Sequence, residues 1–333
     1  MPVKLRVGCL EYFDRTQALA DGRVRPDGVE MELAISSHPG DLFRAMVEGR
    51  DFDAGELSLS TYAVMRSRGD SRYSAIPVFP SRNFRHGYIF VNAASGIAKP
   101  EDLRGRRVGI PEYQLTGAVW LRGLLQHEYG VHPRDIRWVS NWNTDIDGRG
   151  RAERLPLDLP ADISIEDPGD THSIGELLES GAIDAVIGST VPACVRKGSP
   201  RVRRLFADYA GAEREYLRRT SIFPIMHLVV IRRDLCERHP GLAQSMYDAF
   251  SSAKDIGLAR LGVTGHLACS LPWLQRSLEE ARELLGADFW PYGIEPNRKT
   301  LEAVFTYLHE QGLTRSIWKI TDLFEPVNEL RRA

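Results

Sequence analysis

Two segments of the chain share a pattern that constrains its fold more than any other feature. Phe79–Tyr88 and Ile222–His227 carry cationic or titratable side chains immediately before two apolar runs, Tyr88–Val91 and Leu228–Ile231. Short apolar runs of this kind are typical of buried strands. Because a self-contained pattern of strands and helices lies between the two segments, we predict that the chain crosses twice between two lobes.

The length of the chain supports this division. A single hydrophobic core rarely extends over 333 residues, since domains of about 100–200 residues are the norm. We predict a discontinuous first lobe of residues 1–92 and 226–333, with residues 93–225 inserted as a second lobe. Strands alternate with helices along the sequence, which is typical of an α/β chain with mainly parallel sheets.

The predicted crossings also indicate where a ligand would bind. Open α/β sheets bind ligands at the carboxyl ends of their strands, so two crossover strands predict a central cleft. Lys99–Pro111 reads as a short helix, a turn and a strand. This element and the two crossings resemble the type II periplasmic-binding-protein fold, and we predict a two-lobed α/β fold of that class.

Composition and charge exclude several classes of protein. A net charge of −2 argues against a general nucleic-acid binder, and the basic run Arg201–Arg204 is interpreted as a solvated face. No stretch reaches the roughly 18 apolar residues of a membrane-spanning helix. Met1 leads directly into a predicted strand without a hydrophobic leader, so we expect a cytoplasmic protein.

Three side chains are candidates for proton transfer. Glu56 lies at the end of an apparent strand, where burial would raise its pKa; the alternative is an ion pair with Arg82 or Arg85. His86 and His227 occupy matching positions at the two crossings. A histidine inside an apolar run is either a core residue or a proton-transfer group, and the sequence leaves both interpretations of His227 open.

A second set of residues is expected to bind an anion. Arg82 and Arg85 precede a buried strand, and arginine suits bidentate carboxylate recognition; the alternative is a salt bridge between lobes. Four further residues precede or open predicted helices, whose free N–H groups bind carboxylates, and simple helix capping is the alternative for them. They are Ser58, Ser60, Tyr113 and Thr116.

The sequence points to no obligatory cofactor. GxGxxG, Walker A and HExxH motifs are absent, so nucleotide-dependent and zincin-type enzymes have little support. Glu56, His86 and His227 are ligand types that suit a divalent metal, but no local spacing specifies such a site. A metal held by these three residues is kept as one alternative.

Six stretches resemble the 4,5-dihydroxyphthalate decarboxylase family, in the same order and over most of the chain. They are Glu56–Ser60, Phe79–His86, Pro111–Thr116, Phe223–His227, Asp288–Gly293 and Asn297–Leu301. The resemblance implies a cytoplasmic enzyme of aromatic catabolism and phthalate degradation, which converts 4,5-dihydroxyphthalate to protocatechuate and CO2. It implies a small aromatic dicarboxylate as partner and leaves a homo-oligomer open. Ser189, in the inserted lobe, completes the expected substrate-binding set.

Two other functions remain open on the same fold. A solute-binding protein of an ABC transporter would capture an anionic aromatic ligand without turning it over, since a fold does not by itself fix a function. Another enzyme of this fold, related to the menaquinone or thiamine-pyrimidine pathways, is the second. A decarboxylase of this kind would require neither pyridoxal phosphate nor thiamine, because the hydroxylated ring is its own electron sink.

Overall fold

The structure is a computed structural model that describes residues 1–49, 51–140, 155–169 and 171–329. Its strands are, in chain order, β1 (Val3–Leu10), β2 (Val29–Ser36), β3 (Ala54–Ser58), β4 (Tyr73–Ile76), β5 (Ile89–Asn92), β6 (Arg107–Ile110), β7 (Arg137–Ser140), β8 (Ile165–Glu166), β9 (Ala185–Ile187), β10 (Val202–Arg204) and β11 (His227–Arg232).

Helices alternate with these strands along most of the chain. They are α1 (Gln17–Ala20), α2 (Pro39–Glu48), α3 (Leu59–Ser67), α4 (Thr116–Tyr129), α5 (Ile174–Ser180), α6 (Ala193–Arg196), α7 (Tyr209–Thr220), α8 (Arg233–Arg238), α9 (Leu242–Leu261), α10 (Leu274–Leu285), α11 (Arg298–Glu310) and α12 (Ile320–Leu323). Among the described residues, none of these helices is long and apolar enough to cross a membrane.

The chain divides into two compact units. The first unit consists of Met1–Arg82, His227–Leu301 and Trp318–Ala333, and the second consists of Asn83–Met226 and Glu302–Ile317. Each unit is built on its own sheet, as expected for an α/β fold with two lobes.

The sheet of the first unit has the strand order β2-β1-β3-β11-β4. β1 pairs in parallel with β2 and β3, whereas β11 runs antiparallel to both β3 and β4. Strands β3 and β4 are buried along their whole length. β1 and β3 approach closely at Gly55, where an added Cβ atom would lie 2.6 Å from the carbonyl oxygen of Gly8; only glycine fits there without a shift.

The sheet of the second unit has the strand order β10-β5-β9-β6-β7-β8. β5 is antiparallel to β9 and β10, and the remaining pairs are parallel. Both sheets are therefore mixed but mainly parallel, as predicted. Among the described strands, β11 in the first sheet and β5 in the second, which follow the two predicted crossings, run opposite to the other strands of their sheet. Phe90, Val139, Leu178 and Val186 form part of the core around this sheet.

The observed units differ in three places from the predicted lobes, one of which is the single residue Met226, found in the second unit. Residues 83–92 fall in the second unit rather than the first, because β5 pairs with β9 and β10. Residues 302–317 also cluster with the second unit, since Gln311 bonds to Arg122 and to the carbonyl oxygen of Val119 on α4.

Candidate active site

Strand order places a buried carboxylate at the centre of the first unit's sheet. Glu56 lies in β3 between β1 and β11 and has no exposed surface. Since β1 is parallel and β11 antiparallel to β3, the last residue of β1 and the first of β11 meet at the carboxyl end of β3. Glu56 Oε2 accepts a hydrogen bond of 3.1 Å from the Leu10 N–H, and Glu56 Oε1 lies 2.6 Å from Nδ1 of His227.

Tyr12 supplies a further donor to the same carboxylate. Its hydroxyl donates to Glu56 Oε1 over 2.7 Å. Burial, followed by the neighbouring charge of Glu56, raises the pKa of Tyr12 well above its usual range, so the phenol stays protonated and continues to donate. Glu56 is thus held by Leu10, Tyr12 and His227, and these contacts replace the predicted alternative of an ion pair with Arg82 or Arg85.

His227 is oriented by two contacts. Its Nδ1 atom bonds to Glu56. The Phe43 ring on α2 packs against the imidazole in a T-shaped arrangement, with 4.8 Å between ring centroids. A carboxylate on one ring nitrogen fixes the imidazole tautomer and leaves the other nitrogen for a ligand. The His227 side chain is 17% exposed, which makes it the accessible member of the pair.

The predicted serines lie at the junction of β3 and α3. The hydroxyl oxygens of Ser58 and Ser60 are 3.3 Å apart, and both residues are buried. Ser58 occupies the N-cap position of α3 but its side chain makes no capping hydrogen bond. Capping therefore does not account for Ser58.

Arg82 is a buried cation of the first unit. Its Nη2 donates to the carbonyl oxygen of Pro291 over 2.7 Å and also to the side-chain oxygen of Asn297. Burial lowers the pKa of Arg82 to about 9.

In the second unit, Arg85 lies beside the start of α4. Its Nη1 donates to the carbonyl oxygen of Ser189 over 3.2 Å, and its Nε would be 3.4 Å from a Cβ atom added to Gly117. Thr116, the first residue of α4, is buried in the same region, and Leu115 rather than Thr116 occupies the N-cap position. The predicted residues Arg85, Thr116 and Ser189 are thus brought together.

His86 lies in an aromatic environment of the second unit. Its ring packs edge-on against Phe206 and Tyr216, with centroid distances of 5.4 and 5.3 Å. Burial, with a smaller contribution from Arg219, lowers the pKa of His86 to about 4. The imidazole is therefore neutral near pH 7 and is not a proton donor in that state; a catalytic role for His86 stays a prediction.

Tyr113 contacts a charged residue that the sequence did not single out. The Arg122 guanidinium lies 3.8 Å from the centre of the Tyr113 ring and donates to the Tyr113 carbonyl oxygen over 2.5 Å. Burial lowers the pKa of Arg122 to about 10. The available signal was an arginine among the apolar residues of the stretch that forms α4.

Tyr12 and Phe43 are the other residues that sequence reasoning missed. Tyr12 lies two residues after the end of β1, so the rule that ligand sites lie at carboxyl strand ends could have identified it. Phe43 lies on α2, and no feature of the sequence distinguishes it from a core residue.

The three predicted metal ligands fall in different units. Glu56 and His227 bond directly in the first unit, and His86 belongs to the second. Within the described ranges, no group of three His, Cys, Asp or Glu side chains could hold a metal ion. A metal bound by these residues stays a prediction.

The chain is 40% identical over 316 residues to the 4,5-dihydroxyphthalate decarboxylase of Comamonas testosteroni, and the alignment covers 95% of this chain and 94% of that protein. It belongs to the 4,5-dihydroxyphthalate decarboxylase family. The enzyme of the same name from Pseudomonas putida is 40% identical over 209 residues, which cover 63% of this chain and 80% of that protein. The predicted family is confirmed.

The fold of this decarboxylase-family chain is that of a binding protein. Residues 12–146 match the family of ABC transporter, phosphonate, periplasmic substrate-binding proteins. The periplasmic sulfonate-binding protein SsuA from Methylobacillus flagellatus superposes with a TM-score of 0.58 at 13% identity, covering 98% of this chain and 92% of that one. These likenesses confirm the predicted fold class.

Proposed function

We propose that this chain is a carbon–carbon lyase that decarboxylates 4,5-dihydroxyphthalate to protocatechuate and CO2. The observation that carries the proposal is the contact between the buried Glu56 and the partly exposed His227 in a member of this family. The substrate is symmetric, so loss of either carboxyl group gives the same product.

The pair suits the proton transfers that this reaction needs. Each carboxylate of the substrate is para to a phenolic hydroxyl. With Nδ1–H donated to Glu56, the Nε2 lone pair of His227 accepts the phenolic proton, and Glu56 stabilises the resulting imidazolium. Electron density moves to the ring carbon that bears the carboxylate, and that carbon takes a proton from the imidazolium or from water.

Loss of CO2 completes the reaction. The electron pair of the broken carbon–carbon bond returns to the ring, which becomes aromatic again, and the phenolate oxygen recovers its proton. In the net reaction, the substrate loses one carboxylate as CO2 and takes up one proton, which becomes a ring hydrogen. The ring accepts the electrons throughout, so the reaction requires no carbanion-stabilising cofactor. A divalent metal, for which Glu56, His86 and His227 are the predicted ligands, would supply Lewis acidity that favours the phenolate.

Substrate binding is assigned to the buried arginines and their neighbours. Arg82 in the first unit supplies a guanidinium for a carboxylate, supported by its burial and lowered pKa. Arg85 supplies a second guanidinium beside the start of α4, and the N-terminal end of a helix favours anions. Ser58, Ser60, Tyr113, Thr116 and Ser189 complete the proposed set. This reaction would place the protein in cytoplasmic phthalate degradation.

The first test is turnover by the purified protein. We expect protocatechuate and CO2 to form from 4,5-dihydroxyphthalate, followed by chromatography with and without a chelator. His227→Asn should lower kcat by about 10²–10⁴-fold, the usual contribution of one acid–base group, while KM changes little. Product formed in D2O should carry one deuterium at the ring carbon that lost CO2.

The outcomes separate the candidate functions. Binding without turnover in metal-replete buffer would favour the solute-binding alternative, which the likeness to sulfonate-binding proteins supports. Turnover that the chelator abolishes would indicate a metal. Unchanged kcat in His227→Asn would remove His227 from the mechanism.

A further inference from the structure

We propose that Tyr12, held by Arg15, is a positioning residue that keeps the Glu56 carboxylate in the orientation His227 needs. Neither Tyr12 nor Arg15 belongs to the predicted set of site residues. The effect on turnover rests on the proposed function, whereas the effect on His227 itself does not.

The shared oxygen is the first argument. Glu56 Oε1 is 2.7 Å from the Tyr12 hydroxyl and 2.6 Å from Nδ1 of His227, while Oε2 accepts from the Leu10 N–H. A carboxylate can rotate about its last side-chain torsion, which is broad and soft. Three donors on two oxygens fix that rotation, and Tyr12 is the donor on the oxygen that His227 uses.

The second argument is that Tyr12 is itself clamped. The Arg15 guanidinium lies 4.3 Å from the centre of the Tyr12 ring and 4.4 Å from the centre of the Trp290 ring, so it is stacked against both. Asp14 Oδ1 lies 3.4 Å from Arg15 Nε and places an opposite charge beside the cation. Cation–π contacts of this kind stabilise one ring orientation.

The charges around the pair come from several segments. Burial raises the pKa of the Cys9 thiol on β1 and of the Tyr292 hydroxyl, so both are neutral near pH 7. Arg15, Arg82 and Asp14 are the charged side chains that act on Tyr292 together with Glu56. The raised pKa of Tyr12 keeps its hydroxyl protonated as well. Tyr12 is thus a neutral donor to Glu56, with the cation of Arg15 over its ring.

Tyr12→Phe removes only the hydroxyl and so tests the proposal directly. We expect kcat to fall about tenfold, the effect of loosening a supporting hydrogen bond, with KM nearly unchanged because the proposed role of Tyr12 is to act through Glu56 rather than through the substrate. In a Glu56→Gln background the same substitution should have a smaller effect, since the two residues act through one contact. Arg15→Met should change kcat in the same direction.

Tyr73→Phe is the matched control. Tyr73 is also buried in the first unit, donates one hydrogen bond of 3.1 Å to the Met46 carbonyl oxygen, and carries an arginine, Arg72, over its ring. Removal of the Tyr73 hydroxyl should lower the melting temperature about as much as Tyr12→Phe does and should leave kcat unchanged.

A readout without turnover separates this inference from the proposed function. In ¹⁵N-histidine spectra at fixed pH, the His227 signals are those missing from His227→Asn. We expect the Nδ1 signal to move in Tyr12→Phe and stay in place in Tyr73→Phe. An unmoved signal would overturn the role of Tyr12, even in an active decarboxylase. A moved signal in a protein without turnover would support it and leave the proposed function refuted.

Discussion

At the scale of single residues, the sequence identified Glu56 and His227 as candidates but not as partners. Their contact follows from the register of two antiparallel strands, in which His227 pairs with Ser58 and Val229 with Glu56. Chain segments so far apart in sequence carry no local signal of that register. Tyr12 was missed for the same reason, because its importance lies in what β1 brings it next to.

His86 allows a pH prediction at this scale. Its pKa is about 4 in the folded protein, mainly through burial, against about 6.5 for an unperturbed histidine. Between these values the unfolded chain binds the proton and the folded one does not, so the free energy of unfolding should fall as pH drops from about 6.5 towards 4. The contribution of His86 is about 2–3 kcal/mol.

Urea unfolding at several pH values checks this, with His86→Phe as the comparison. Phenylalanine suits a pocket formed by Phe206 and Tyr216 and cannot take up a proton. The variant should lose less stability than the wild type over this pH range. Equal losses would mean that His86 gains its proton as readily in the folded protein as in the unfolded chain.

At the scale of elements, strands with a strong hydrophobic pattern could be predicted, whereas a helix with a mostly polar sequence could not. Apolar runs and alternation identified β3, β5 and β11, but α7 was missed because its sequence is rich in charge and only Tyr216 and Leu217 are buried. The basic run Arg201–Arg204, interpreted as a solvated face, contains edge strand β10. Arg201 and Arg203 are exposed, in agreement with that interpretation, whereas Arg204 is half-buried and lies 5.0 Å from the centre of the Phe90 ring.

A prediction for α7 follows from its first turn. The Asp208 side chain accepts a hydrogen bond of 2.9 Å from the Gly211 N–H, which caps the helix. Asp208→Ala should lower the free energy of unfolding by about 1 kcal/mol, measured by urea titration. Asp208→Asn should retain most of the stability because asparagine is an equally good cap, and a loss as large as that of alanine would argue against capping.

At the scale of the whole molecule, the division into two units could be predicted but its last segment could not. The crossings near residues 82 and 226 stand out because charged residues precede buried strands there. Residues 302–317 carry no such signal, since α11 begins in the first unit and continues into the second as one amphipathic helix. Their assignment depends on side-chain contacts with α4.

Gln311 is the residue that makes this assignment testable. It is 1% exposed, accepts a hydrogen bond of 2.8 Å from Arg122 Nε, and donates to the Val119 carbonyl oxygen over 2.9 Å. Gln311→Leu would leave the buried guanidinium and the carbonyl without these partners. We therefore expect the free energy of unfolding to fall by about 2–4 kcal/mol, measured by urea titration.

Gln126→Leu provides the comparison, since Gln126 lies on α4 together with Arg122. Gln126 also joins α4 to α11, through a bond of 3.1 Å to Glu310, but that contact is exposed to solvent. Exposed hydrogen bonds exchange with water at little cost, so this substitution should change stability by no more than about 0.5 kcal/mol. If both variants lost the same small amount of unfolding free energy, the buried Arg122–Gln311 contact would not be what holds residues 302–317 to the second unit.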